Sequence, residues 1–105
     1  MTTFDDREKR FETGFVLDAE LRFKVEAKRD KLLGAWVAAK LGLSGADADE
    51  YARSVVRADL EEPGDDDVFR KVRADLDKSA KKVSDEEIRA KMAEYLDAAM
   101  NAVRP

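Results

Sequence analysis

Apolar residues recur along most of this chain at spacings of three, four and seven, with charge filling the positions between. That is the period of helices with one buried face. Leu21, Val25, Leu32, Trp36 and Ala39 make such a stripe, widened by Leu33 and Val37, and predict a helix over residues 18–41. Gly42 follows as a natural C-terminal glycine. Gly34, inside the run, suits close approach to a neighbouring helix. Ala48, Tyr51, Ala52, Val55, Val56 and Leu60 form the apolar side of a second helix, opened by Ser44 or Asp47 as a cap and stopped by Pro63 and Gly64. Val68, Phe69, Val72, Leu76 and Ala80 predict a third, with Asp65 to Asp67 as its cap and Lys78, Lys81 and Lys82 in its last turn. Ser84 and Glu87 read as a capping box for a fourth, whose seam is Ile88, Met92, Tyr95, Leu96, Ala99 and Val103. Glu20 with Lys24, Asp85 with Arg89 and Glu87 with Lys91 are spaced to pair on the wet faces. The links between these runs are short, which favours antiparallel neighbours. The expectation is an all-α fold: a small four-helix bundle over residues 16–105, preceded by an amphipathic arm over residues 1–15.

The arm has its own pattern. Phe4, Phe11 and Phe15 stand at helical spacing, and Asp5, Asp6, Arg7, Glu8, Lys9, Arg10 and Glu12 crowd the positions between them. As a helix it presents a narrow aromatic stripe with charge elsewhere. Such a segment either docks on its own domain or serves a partner, as helix-in-groove ligands do. Gly14, about 1 kcal/mol worse than Ala inside a helix, marks a break between arm and bundle.

Composition removes several function classes. The 105 residues include no Cys and no His, so thiolate chemistry, a disulfide framework and the commonest metal ligand are all missing. No metal site or catalytic residue is expected. General acid–base work would fall to carboxylates, and a paired-carboxylate site needs a buried acid with a raised pKa. Nearly all of the 24 acids sit at polar helix positions, and the apolar seams contain none. Neither a P-loop nor a dinucleotide-binding glycine pattern occurs. An enzyme is therefore not expected, and no cofactor is required. Asp5 and Asp6 stand where a signal peptide carries basic residues, and no apolar run approaches the ~20 residues of a membrane span. A soluble cytoplasmic protein, monomeric when free and without direct membrane insertion, is the expectation.

Net charge is −4, with an isoelectric point near 4.9, which argues against a nucleic-acid partner. Residues 44–67 alone carry a net −7, and residues 18–43 a net +2. The acidic block reads as a solvated helix with acidic caps or as a contact for a basic partner.

Several long runs carry a family resemblance. FDDREKRFE from Phe4, AELRFKVEAKRDKLLGAW from Ala19, VRADLEEPG from Val56, DVFRKV from Asp67 and IRAKMAEYL from Ile88 together resemble the zeta subunit of the alphaproteobacterial F-type ATP synthase. The resemblance covers almost the whole chain. It implies a four-helix bundle that inhibits ATP hydrolysis, with the N-terminal segment entering the catalytic head among the alpha, beta and rotor subunits and blocking rotation. Any membrane association would then be indirect, through the synthase. Phe4 to Phe11 and Phe15 become the inhibitory contact. The alternative is a generic helical adaptor, in which the three phenylalanines complete the domain's own core.

The resemblance also implies ADP or ATP as a regulatory ligand, without a motif that locates it. Arg29 and Trp36 are seven residues apart, hence on nearly one face and separated by about 10.5 Å, close to the span from adenine to its phosphates. Lys40 continues that face and Lys28 flanks it. The candidate nucleotide residues are Lys28, Arg29, Trp36 and Lys40. The plainer reading makes Trp36 a core residue and Arg29 a solvated one.

Overall fold

The computed structural model describes residues 19–61 and 64–103. Four helices account for most of them: α1 (Ala19–Lys40), α2 (Gly45–Glu61), α3 (Asp65–Lys78) and α4 (Asp85–Val103). The arm, residues 1–15, lies outside the described residues.

The helix ends follow local chemistry. After α1 the chain turns left-handed at Gly42, φ 82°. The Leu43 amide donates to the Ala38 carbonyl at 2.9 Å and the Gly42 amide to the Ala39 carbonyl at 3.2 Å. These are the two bonds of a Schellman closure, and they satisfy carbonyls that the helix end leaves open. At α4 the Glu87 amide donates to Ser84 Oγ at 3.0 Å, one arm of the expected capping box. The start of α3 differs from expectation. Its cap is Gly64, with no side-chain cap bond, and Asp65, Asp66 and Asp67 occupy the first helical turn, where their charge favours the helix dipole. The third helix also stops sooner, at Lys78. Ala80 lies beyond it at φ 62° and is exposed, so Lys81 and Lys82 are outside the last turn.

α1 is the central element and packs most extensively against α2 and α4. Two partner helices shift its buried face away from the predicted stripe. Val25, Leu33, Val37 and Ala38 are fully buried, whereas Leu21, Leu32 and Trp36 are half-buried and Ala39 is exposed. Gly34 is where α2 comes nearest: a Cβ built there would sit 2.6 Å from the Ala52 Cα. Only glycine allows that contact. The main core joins Leu33 and Val37 to Val55, Val68, Val72, Leu76, Val83, Ile88 and Met92. A second cluster at the other end gathers Val25, Leu96, Ala99 and Met100. Leu60, expected on the apolar side of α2, is instead exposed.

Of the predicted surface pairs, Lys24 and Glu20 meet at 3.3 Å. The α4 cations go elsewhere. Arg89 reaches Asp66 on α3 at 3.1 Å and Lys91 reaches Glu94 at 3.2 Å, while Asp85 pairs with Arg73 of α3 at 3.0 Å. Tertiary geometry outranks an i,i+4 preference of a few tenths of a kcal/mol.

Candidate functional site

Val25, Arg29, Leu33 and Val37 lie four residues apart on one line of α1, so Arg29 occupies a core position. It is 2% exposed. Its Nε meets Asp30 Oδ1 at 2.7 Å, Nη1 meets Asp65 Oδ1 at 3.3 Å, and Nη2 stands 3.9 Å from Asp59 Oδ2. Asp59 Oδ1 accepts from the Gly64 amide at 3.4 Å. One guanidinium therefore ties α1 to the end of α2 and the start of α3. Burial works to lower the Arg29 pKa, but the three carboxylates more than offset it and leave it raised. Asp30 is fully buried, and no N–H or hydroxyl group donates to its Oδ2. Burial, and then a hydrogen bond with the Asp59 carboxyl, push the Asp30 carboxyl up to about 8 against the pull of Arg29. At neutral pH Asp30 therefore holds its proton. Nearly all acids are expected at polar positions and none in the buried seams; Asp30 and Asp59, which are both buried, correct the second expectation. The cluster is a clasp, its carboxyl groups gathered around the Arg29 guanidinium. Among the described residues, no group of His, Cys, Asp and Glu could hold a metal ion.

The nucleotide candidates separate into two places. Trp36 is half-buried, with Lys40 Nζ 5.6 Å from its ring centre. Lys91 of α4 stands 6.0 Å from the same ring and 5.8 Å from the Tyr95 ring. This gives two aromatic rings and two ammonium groups on the α1–α4 face. Arg29 is absent from it, because its guanidinium is held by carboxylates at the α2–α3 junction. Lys28 is exposed and neighbours Arg29 in sequence, away from the patch. The plainer reading of Arg29 as a solvated side chain is therefore corrected: it is buried, and its guanidinium faces carboxylates. Sequence reading missed Lys91 and Tyr95. Their i,i+4 spacing was visible, but their approach to Trp36 depends on how α4 packs across α1.

A groove of about 450 Å³ lies between α1 and α2 above the clasp. Ala19, Phe23, Ala27, Val56 and Leu60 form its apolar walls, and Arg22, Glu26, Asp30 and Asp59 supply its polar part.

Comparison with known proteins gives this bundle a family. Residues 1–102 match the family described as ATPase inhibitor subunit zeta. The chain belongs to that family. A zeta-family bundle therefore carries the clasp, the aromatic patch and the groove, and the match takes in the arm sequence as well. A protein solved by solution NMR has the same fold, at 46% identity and a TM-score of 0.70, covering 79% of this chain and 94% of its own. No curated protein matches the chain. Membership in the zeta family gives the chain an ATPase-inhibiting role. Among the described residues no helix is long and apolar enough to cross a membrane. The arm residues Phe4, Asp5, Asp6, Arg7, Glu8, Lys9, Arg10, Phe11 and Phe15 all fall outside the described residues.

Proposed function

We propose that this zeta-family protein inhibits ATP hydrolysis by the F-type ATP synthase by inserting its N-terminal segment into the catalytic head and blocking rotation. The observation that carries this reading is the extent of the family match, which begins at residue 1 and so includes the arm. In the arm, Phe4, Phe11 and Phe15 are the anchors, because buried aromatics dominate interface energetics. Arg7, Lys9 and Arg10 act mainly on the rate of approach and its salt dependence. The bundle is the folded handle from which the arm extends. Titrating purified alphaproteobacterial synthase with the chain tests the reading. Hydrolysis should fall with dose, and unchanged hydrolysis at saturating chain would return the helical adaptor to favour.

ADP or ATP binds the bundle at the Trp36 face and modulates inhibition. The pairing of Trp36 with Lys40 and Lys91 supports this placement: the ring offers adenine a wall and the ammonium groups offer phosphate a counter-charge. Titrating ADP while following backbone amide shifts should move residues around Trp36, Lys40 and Lys91. Shifts confined to Lys28 and Arg29 would move the site, and no shift at millimolar ADP would remove it.

A further inference from the structure

Phe23 and Leu60 are the large apolar side chains exposed among the described residues, at 52% and 54%. Single exposed apolar residues are ordinary on a protein surface. These two, from different helices, line the same groove, with Ala27 and Val56 between them. Ala19, where the described chain begins, also lines it. The groove thus reaches the N-terminal end of α1. Its polar part carries Glu26 and Arg22 with the protonated Asp30 and the Arg29-paired Asp59, and the acidic character comes from the neighbouring residues 44–67, which are net −7.

We propose that the Phe23–Leu60 groove is a second docking surface of the bundle on the synthase head, taking an apolar side chain that lies beside a basic group. The proposal rests on the inhibitor reading above. With the arm preceding α1 in sequence, its entry into the head brings the groove against the rim of the same partner. The second contact is then an intramolecular step, made at the high effective concentration of a short tether. The apolar walls gain by losing water, and the acidic surroundings select a basic neighbour over an acidic one. Phe23 and Leu60 are about half in water, so docking has further apolar surface of theirs to cover.

The test reads two quantities in parallel for the full chain: binding to the purified synthase and inhibition of its ATP hydrolysis. Phe23→Ser, Leu60→Ser and the double variant are compared with the unmodified chain, each checked for an unchanged helical melting curve. The double variant should bind about tenfold more weakly or worse, a loss typical of removing central apolar anchors, and its half-inhibiting concentration should rise in step. Each single variant should show a smaller loss. Unchanged binding and inhibition in the double variant would overturn the groove while leaving the inhibitor reading intact. Binding without any inhibition, but lost in the double variant, would keep the groove and sink the inhibitor reading. Stronger inhibition by the variants would mean that the arm itself occupies the groove in the free protein. Self-association in sedimentation that vanishes in the double variant would assign the groove to a second copy. Either result would overturn the proposal.

Discussion

Two stretches of the same helix face do opposite things. At Leu33 and Val37, α1 meets a wholly apolar core made by Val55, Val72, Leu76 and Ile88. One turn earlier, at Arg29, it meets three carboxylates instead. The apolar stretch is non-directional: side chains of similar volume can replace one another at modest cost. The charged stretch is directional. A single guanidinium must face Asp30, Asp59 and Asp65 together, which constrains how the α2–α3 junction sits on α1. Leu33 and Val37 therefore supply cohesion, while Arg29 supplies orientation. The junction carries a larger penalty if one member is removed, because the remaining charges stay buried and unmatched.

The sharpest way to break this contrast is Arg29→Met. Asp59 and Asp65 then lose their counter-charge and Asp30 loses its guanidinium partner, and the expected cost is about 3–5 kcal/mol. Against a total stability of ~5–15 kcal/mol that should be plain in urea denaturation. In the apolar core, Leu76→Ala should cost about 2–5 kcal/mol through lost transfer energy and a cavity. If Arg29→Met proved neutral while Leu76→Ala did not, the clasp would be a passenger and the contrast would fail. A subtler probe is pH. In the folded protein the Asp30 carboxyl titrates near 8, whereas in the unfolded chain it titrates near the ordinary ~3.9. The folded state holds a proton that the unfolded state releases. Stability from this group is therefore full below about pH 4 and declines as pH rises toward about 8, by at most ~1.4 kcal/mol per pH unit. Asp30→Asn imitates the protonated acid and should flatten that slope. Denaturation of both proteins at pH 5, 7 and 8.5 checks it, and identical slopes would show that Asp30 is ionised throughout.

The two stretches also differ in how far they could be foreseen. Val55, Val72, Leu76, Ile88, Met92 and Leu96 follow from helical periodicity, and the Schellman turn at Gly42 and the cap at Ser84 follow from local chemistry. Gly34 declared a close helix contact, and Ala52 makes it. Arg29 and Asp30 escaped because a charged pair next to one another reads as surface, and their partner Asp59 is thirty residues on. The centre of the buried face on α1 was misjudged for a related reason. With Arg29 counted as polar, the line through Val25, Leu33 and Val37 lost a member, and Leu32 and Trp36 took its place. Lys91 and Tyr95 joined Trp36 through the packing of α4, which no local signal encodes. Leu60, apolar and in phase, faces water beside Phe23 because no described element covers that side of the groove.

The central claim is a division of labour, with inhibition in the arm, residues 1–15, and stability in the bundle. The most direct measurement compares the full chain with a chain beginning at Phe15 in two assays, thermal melting and inhibition of ATP hydrolysis by the synthase. The account predicts closely similar melting for the two, dose-dependent inhibition by the full chain and none by the shortened one. A shortened chain that inhibits as well as the full one, or that no longer folds, would contradict it.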